Sequence, residues 1–219
     1  MKILLISASP RKEGSLTLLL AQEVLRGCTE GQQVQSDVVQ LCGLKIEFCR
    51  NCDSCHKDLG VCAIKDDITH IIKKMTEADG IILASPNYIN HVTAQMKALF
   101  DRSSHFIHCH RLLHKYMVAV VTSGSGDDDC ILNYIMQYAN ICGAQYSGGL
   151  SSRAPISKEK MDEAYNLGKR LALDIAEKKS YSEQIENISK CREHFKHVIH
   201  LRQYDWEGEY EYWREKGWL

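Results

Sequence analysis

The sequence predicts an α/β protein, a three-layer sandwich in which a five-stranded parallel sheet lies between two layers of helices. Two observations support this prediction. Apolar runs that indicate buried strands alternate with segments of helical periodicity along residues 1–178, and three loops of unusual composition each follow a predicted strand. Alternating strands and helices form parallel sheets because right-handed crossovers place successive helices on both faces.

The first predicted elements are a strand, a helix and a second strand. Residues 2–8 form a continuous apolar run, which is typical of a parallel strand buried on both faces. Residues 15–26 have helical character. Residues 33–41 predict the second strand, although its valines alternate with polar residues less cleanly.

The remaining elements continue the alternation. A helix is predicted at 66–78, where acidic residues in the first turn favour the helix dipole. There follow a strand at 81–85, a helix at 92–107, a strand at 116–122, a helix at 128–141, a weak strand at 144–150 and a helix at 158–178. The economical arrangement of these units is a flavodoxin-like sheet with strand order 2-1-3-4-5.

We expect residues 1–178 to form this domain, with a cysteine loop at 43–64, and residues 179–219 to form a C-terminal extension. The extension contains all three tryptophans, Trp206, Trp213 and Trp218. Disordered tails are poor in aromatic residues, so the extension should either dock on its own domain or clasp a second subunit. Both alternatives remain open.

Composition excludes some classes of partner. A net charge of −1 and a pI near 6.8 give no electrostatic basis for binding nucleic acid or an anionic membrane surface. The start of the chain lacks the features of a signal peptide and no apolar stretch is long enough to span a bilayer, so we expect a cytoplasmic protein. In that compartment the ten cysteines should be free thiols or metal ligands.

The loop at 7–17 joins a buried strand to a helix N-terminus and is rich in hydroxyl groups. Unpaired N–H groups and the positive end of the helix dipole attract a dianion there. The hydroxyls of Ser9, Ser15 and Thr17 can donate to it, and Arg11 can pair with its charge. An ordinary helix cap by Ser15 is the alternative. Because the chain lacks the P-loop and Rossmann glycine motifs, a mononucleotide is the predicted ligand.

Two further loops follow the third and fourth predicted strands. In residues 85–91, Pro86 fixes a turn and Tyr88 offers an aromatic face that can line a flat ring. In residues 122–127, Gly124 and Gly126 let the backbone approach a planar ligand closely. Ligands of such sheets bind outside the carboxyl ends of the strands, so the three loops predict one site at that edge.

Four cysteines lie close together after the second predicted strand, at Cys49, Cys52, Cys55 and Cys62. The spacing C-x2-C-x2-C-x6-C suits three corners of an iron–sulfur cubane, with Cys62 as the fourth ligand. Structural zinc sites more often take their ligands as two separated pairs. A cluster is favoured, while a zinc ion and free thiols remain open.

Four segments carry a family resemblance: ASPRKEGS at 8–15, CAIKDD at 62–67, ADGIILASPNY at 78–88 and QMKALFDR at 95–102. With the cysteine spacing, they resemble the NADPH-dependent FMN reductase and iron–sulfur flavoprotein family over residues 1–178. Residues 211–218 are similar to the tails of some members. The resemblance implies a flavodoxin-like fold that binds FMN, assembly as a homodimer or homotetramer, and a 4Fe-4S cluster that exchanges single electrons with the flavin.

Position by position, the resemblance implies FMN contacts for a set of residues from the three loops. They are Ser9, Arg11, Ser15, Leu16, Thr17, Pro86, Asn87, Tyr88, Ile89, Ser123, Gly124 and Gly126. Ala8 stands where the family usually has glycine, and Leu16 interrupts a common Asn-Thr pair. No catalytic side chain is assigned, because the cofactor carries the chemistry.

Three functions follow from these observations. The favoured one is an FMN-dependent oxidoreductase that passes electrons between a 4Fe-4S cluster and FMN, with a ferredoxin-like donor or a small-molecule acceptor. The second is a cluster-free NAD(P)H-dependent reductase of FMN or quinones. The third, from another class, is a zinc-stapled binding module without catalysis.

Two groups of histidines and six scattered cysteines are left over. The histidines are His105, His108, His110 and His114, and His194, His197 and His200. We expect exposed or interface histidines rather than a second metal site. The cysteines Cys28, Cys42, Cys109, Cys130, Cys142 and Cys191 are expected to be small buried hydrophobes.

Overall fold

The computed structural model describes residues 1–11, 14–31 and 33–219 of the chain. Over these residues, five parallel strands form one sheet in the order β2-β1-β3-β4-β5. They are β1 (Lys2–Ser7), β2 (Gln35–Gln40), β3 (Gly80–Pro86), β4 (Tyr116–Ser123) and β5 (Gln145–Arg153). This is the flavodoxin-like order, so the predicted fold class is confirmed.

Helices cover both faces of the sheet. They are α1 (Leu16–Thr29), α2 (Ser54–Lys57), α3 (Ile68–Glu77), α4 (Ala94–Arg102), α5 (Ser104–Cys109), α6 (Asp129–Ile141), α7 (Lys158–Glu177), α8 (Ser182–Leu201) and α9 (Glu207–Glu215). In the described part of the chain, none of them joins the length to the apolar character that crossing a membrane requires. Helix α2 in the cysteine loop and helices α8 and α9 in the extension were not predicted.

Alternate residues of the central strands belong to two separate hydrophobic cores, one on each face of the sheet. In β1, Ile3 and Leu5 pack with α1 and α7, whereas Leu4 and Ile6 pack with α3, α4 and α6. Successive side chains of a strand point to opposite faces, so a strand covered on both faces is apolar at every position. The edge strand β2 is mostly exposed, which explains its weaker apolar pattern.

Helices α1 and α7 meet at two glycines. A Cβ atom at Gly168 would overlap the carbonyl oxygen of Val24, and one at Gly27 would overlap the carbonyl oxygen of Tyr165. The Cys28 thiol donates to the Gly168 carbonyl oxygen at 3.2 Å. Glycine is needed at both positions because the helix backbones touch directly.

The helix predicted at 92–107 is in fact two helices, and this prediction was wrong. Helix α4 ends before Ser103, which has φ −105° and ψ 23°. The Ser103 hydroxyl donates to the Phe100 carbonyl oxygen at 3.0 Å and accepts from the Tyr138 hydroxyl at 2.7 Å. A serine side chain that bonds to the preceding turn competes with continuation of the helix.

The C-terminal extension packs against its own chain. The indole of Trp213 is fully buried, and its Nε1 donates to the backbone carbonyl oxygen of His108 in α5 at 3.1 Å. Cys109 and Ile199 are buried beside it. Contact with a second subunit and the domain division at 178/179 stay predictions.

Candidate functional site

A cavity of about 250 Å3 lies at the carboxyl ends of β1, β3 and β4, and all three predicted loops contribute to it. Most of the residues predicted to contact the cofactor line this cavity: Ser9, Arg11, Leu16, Thr17, Pro86, Asn87, Tyr88, Ser123 and Gly124. Thr122 and Ala154 also line it and were not predicted. Thr122 had a signal in the sequence, since it is the first polar residue after the apolar run at 117–121.

The first loop brings hydroxyl groups to the start of α1. The Ser9 hydroxyl accepts from the Arg11 backbone N–H at 3.4 Å, and the Thr17 hydroxyl bonds to the Thr122 hydroxyl at 2.6 Å. The first amides of a helix have no partner within it and carry the positive end of its dipole. Hydroxyls, helix amides and an arginine together suit a phosphate group.

Ser15 has a different position from the one predicted. Its hydroxyl accepts from the Leu18 backbone N–H at 3.0 Å and caps α1, so Ser15 lies behind the cavity lining. The ordinary helix cap is therefore present beside the cavity, and a phosphate contact from Ser15 stays a prediction. Lys12 and Glu13 of this loop lie outside the described residues.

A buried carboxylate that the sequence analysis missed holds the second and third loops together. Asp128 is 1% exposed and accepts from the Asn87 Nδ2 and from the Ser123 hydroxyl, each at 2.9 Å. The Ser123 hydroxyl in turn accepts from the Gly126 backbone N–H at 2.9 Å, which places Gly126 behind the lining. Three consecutive aspartates occur at 127–129, and sequence alone does not distinguish the buried one.

The tip of the second loop projects from the surface. Tyr88 is about half exposed and pairs with His91 through two backbone hydrogen bonds of 3.0 and 3.2 Å. Ile89 is fully exposed and has φ 52°, a conformation that β-branched residues rarely adopt. Ile89 therefore lies outside the cavity lining, and its contact with a cofactor stays a prediction.

The four cysteines of the compact motif line a second cavity. Cys49 and Cys52 are exposed, and Cys55 and Cys62 are half-buried. Their loop follows β2, whose carboxyl end lies at the same sheet edge as that of β1 because the strands are parallel. The loop therefore starts at the sheet edge that carries the first cavity, and its thiols reach Arg102 at the end of α4 and Ser104 at the start of α5.

Polar groups surround these thiols. The Asn51 backbone N–H donates to the Cys49 sulfur at 3.5 Å, and Cys52 and Ser54 bond to each other at 3.4 Å. The hydrogen bonds from Ser54 lower the pKa of Cys52 below its ordinary value, which favours the thiolate that a metal binds. Asn51 and Asp53 have φ values of 49° and 57°, and these two turns curl the loop around the cavity.

A buried ion pair lies against the quartet. Arg102 Nη2 donates to the Cys62 sulfur at 3.3 Å, and the guanidinium binds Asp66 at 2.7 and 2.9 Å. Burial disfavours the charged form of both groups, but the hydrogen bonds between them stabilise both charges. As a result the pKa of Asp66 is lowered and that of Arg102 is raised. Asp66 also accepts from the Ile68 backbone N–H at 3.3 Å, so it precedes α3 instead of lying within it as predicted.

A second buried network connects the cysteine loop to the extension and was missed by the sequence analysis. The carboxylate of Glu209 is fully buried and bonds to His56 Nδ1 at 2.6 Å and to His108 Nδ1 at 3.0 Å. Burial lowers the pKa of His56, but the Cys55 sulfur and Glu209 outweigh it and raise the pKa to about 10. The three groups satisfy one another and join α9 to α2 and α5.

Asp53 adds a further link between the cysteine loop and the extension. Its carboxylate accepts from Arg202 Nη2 and from Trp206 Nε1, each at 3.2 Å. A Cβ atom at Gly208 would crowd the backbone of Lys57 and Leu59, so α9 packs directly on α2. The extension therefore forms one wall of the cysteine loop.

The leftover residues behave in part as predicted. The exposed histidines are His114, His194, His197 and His200. His105 and His110 are buried instead, and burial lowers their pKa values to about 3 and about 4. Cys28, Cys109 and Cys142 are buried as predicted, whereas Cys42 and Cys191 are half-buried and Cys130 is exposed.

Comparison with known proteins gives consistent matches. The NADPH-dependent FMN reductase family matches residues 1–152. An iron–sulfur flavoprotein of Methanocaldococcus jannaschii is 35% identical over 188 residues, which cover 78% of this chain and 96% of the relative. An iron–sulfur flavoprotein of Archaeoglobus fulgidus is 30% identical over 223 residues, covering 100% of both chains. The solved apo form of an NADH:FMN oxidoreductase shares the fold with a TM-score of 0.61 at 19% identity, covering 84% of this chain and 92% of that one.

The fold, the cavity at its carboxyl edge and these matches define the class: the chain is a flavin-dependent oxidoreductase. The family match covers most of the chain, and the relatives align over nearly their whole lengths. The chain belongs to the NADPH-dependent FMN reductase family. The alignment with the Archaeoglobus relative includes both the cysteine loop and the extension.

Proposed function

We propose that this enzyme passes electrons between FMN and a 4Fe-4S cluster held by Cys49, Cys52, Cys55 and Cys62. The observation that carries the proposal is the meeting of all four thiols on one cavity, in a loop that leaves the same sheet edge as the flavin cavity. Two relatives named iron–sulfur flavoproteins support it.

The first cavity supplies groups that fit FMN. The hydroxyls of Ser9 and Thr17 and the guanidinium of Arg11 lie where the phosphate would meet the start of α1. Residues 86–88 and 123–124 would line the ring. When bound, FMN supplies one- and two-electron chemistry and the cluster supplies one-electron chemistry, while the protein holds and orients both groups.

The size of the flavin cavity supports assembly of more than one subunit. Its volume of about 250 Å3 is below the roughly 300–1,000 Å3 that is usual for ligand pockets. One chain would therefore leave part of the mononucleotide uncovered. Ile89 and Tyr88 offer exposed apolar surface beside the cavity. We propose that a homodimer or homotetramer covers the rest of the flavin.

The spacing of the thiols supports a cluster over a single zinc ion. In the described residues, no three of the four cysteine sulfurs lie within 4.8 Å of one another, whereas ligand atoms of His56, His108 and Glu209 do form such a group of three. A tetrahedral zinc ion with Zn–S bonds of about 2.3 Å holds its sulfurs about 3.8 Å apart. The ligands of a cubane bind separate iron atoms and lie farther apart. The buried Arg102 Nε, which has no hydrogen-bond partner within the described residues, lies beside the quartet and fits an added acceptor there.

The surface around the quartet supports a protein electron donor. Cys49 and Cys52 are exposed, and Phe48 and Val61 next to the motif are 73% and 44% exposed. Exposed apolar groups around a redox centre suit a transient protein contact. We propose a ferredoxin-like protein as the partner on this side, with NAD(P)H or a small-molecule acceptor reacting at the flavin.

The test is a visible spectrum and an iron and sulfide analysis of protein purified without oxygen. The proposal expects flavin bands, a broad iron–sulfur absorption and four iron atoms per chain. Cys52→Ala should lose the broad absorption and the iron but keep the flavin. Cys130→Ala, which changes an exposed cysteine outside the quartet, should keep both. Unchanged iron in Cys52→Ala would refute the ligand assignment.

A second function is favoured by the family match. If the wild-type protein holds flavin without iron and oxidises NADPH, the enzyme is a cluster-free reductase of FMN or quinones. Zinc without flavin would instead indicate a binding module. The same sample distinguishes the three outcomes.

A further inference from the structure

Arg102 is a charged residue that is buried against the sulfur of one of the four cysteines. The residue is 3% exposed, and its Nη2 donates to the Cys62 sulfur at 3.3 Å. The other terminal nitrogen donates to the Glu47 carbonyl oxygen at 2.7 Å and to Asp66 at 2.7 Å. These contacts fix the direction in which the guanidinium points.

We propose that Arg102 raises the reduction potential of the cluster by donating a charge-assisted hydrogen bond to the Cys62 ligand. The inference rests on the proposed function, because it requires a cluster on the quartet. Reduction adds one negative charge to the cluster, and a cation or N–H donor at a ligand sulfur stabilises that charge. Burial strengthens the effect, since water does not screen the guanidinium.

Asp66 should lower the reduction potential of the cluster, because it binds the same guanidinium. Its carboxylate is fully buried against Arg102 and also accepts from the Glu47 backbone N–H at 2.8 Å. The carboxylate partly cancels the charge that the guanidinium presents to Cys62. Removing the charge of Asp66 should therefore raise the potential, whereas removing the charge of Arg102 should lower it.

Shifts of opposite sign in the cluster potential distinguish this electrostatic role of Arg102 from a purely structural one. Arg102→Gln and Asp66→Asn break the same ion pair, and a residue that only supports the loop would give both variants the same disturbance. Arg102→Lys keeps the charge without the planar fork that holds sulfur, carboxylate and carbonyl together. Arg26→Gln is the matched control, because Arg26 forms an exposed pair with Glu23 on α1, on the other face of the sheet.

The experiment is a spectroelectrochemical titration of the cluster and the flavin in these proteins, purified without oxygen and assayed for iron and sulfide. We expect a more negative cluster potential in Arg102→Gln, a less negative one in Asp66→Asn, and unchanged values in Arg26→Gln. If Arg102→Gln loses iron, the inference is tested on the two other variants. It then requires a less negative cluster potential in Asp66→Asn and a smaller shift to more negative potential in Arg102→Lys.

Two results would overturn the inference: potentials equal to that of the wild type in iron-loaded Arg102 variants, or shifts of the same sign in the Arg102 and Asp66 variants. Both leave the proposed function intact, because iron is present. A wild-type protein without iron would refute the proposed function itself, so the two failures are distinguishable.

Discussion

Replacing Trp213 by alanine should release the C-terminal extension from the rest of the chain. Trp213 is fully buried in α9 and bonds to the backbone of α5. Truncating a buried tryptophan costs about 3–5 kcal/mol, and the loss of its hydrogen bond to the His108 carbonyl oxygen costs about 1 kcal/mol more. Even the low end of this sum, about 4 kcal/mol, raises the population of the detached extension roughly a thousandfold, at about 1.4 kcal/mol per factor of ten.

Limited proteolysis measures this population directly. Lys178 and Lys179 are exposed between α7 and α8, but the Tyr116 hydroxyl holds the Lys179 carbonyl oxygen at 2.6 Å, so cleavage requires local opening. Trypsin should therefore release residues 180–219 from the Trp213→Ala variant much faster than from the wild type. Tyr204→Ala is the control, because this aromatic residue of the extension is 83% exposed and its loss should leave the cleavage rate unchanged. Equal cleavage of Trp213→Ala and the wild type would refute the conclusion that Trp213 anchors the extension.

Three further predictions concern the flavin cavity, the contact between helices and a buried histidine. Arg11→Gln should weaken FMN binding about tenfold or more, because a charge-assisted hydrogen bond contributes about 1.5–3 kcal/mol. Riboflavin, which has no phosphate, should bind both proteins equally in a fluorescence titration, and an equal loss for both ligands would contradict the phosphate assignment. Gly168→Ala should lower the free energy of unfolding in urea by about 1–3 kcal/mol through overpacking, whereas Gly43→Ala, with open space around its Cβ position, should be nearly neutral; a neutral Gly168→Ala would show that α1 and α7 can separate. Burial lowers the pKa of His110 from 6.5 to about 4. As the pH falls from 6.5 to 4, the unfolded chain therefore binds a proton at this histidine before the folded chain does. Over that range the free energy of unfolding should fall by up to about 1.4 kcal/mol for each pH unit of acidification. His110→Asn, with a residue that tolerates the local φ of 42°, should reduce this slope, and an identical pH profile would contradict the burial argument.

Much of the fold was predictable because it depends on local patterns. The central strands are apolar at every position, and their alternation with helices leaves few possible sheet orders. The flavin cavity followed from the same logic, since parallel strands bring their loops to one edge. The helix break at Ser103 was missed because it depends on a hydroxyl that bonds both to its own turn and to Tyr138, far along the chain.

The missed parts of the site share one physical cause. Glu209 bonds to His56 across 153 residues, and Arg102 bonds to Asp66 across 36 residues. In the sequence, each of these charged residues is indistinguishable from the exposed ones around it. Only the packing of α9 on α2, and of α4 against the cysteine loop, shows which charges are buried and what they bond to.

The contacts of Asp53 can form only late in the synthesis of the chain. Its two partners, Arg202 and Trp206, lie 149 and 153 residues further along the chain. During translation, the thiol loop leaves the ribosome long before the groups that close around it have been synthesised. The loop therefore stays open on this side until residues 179–219 have been synthesised and have docked.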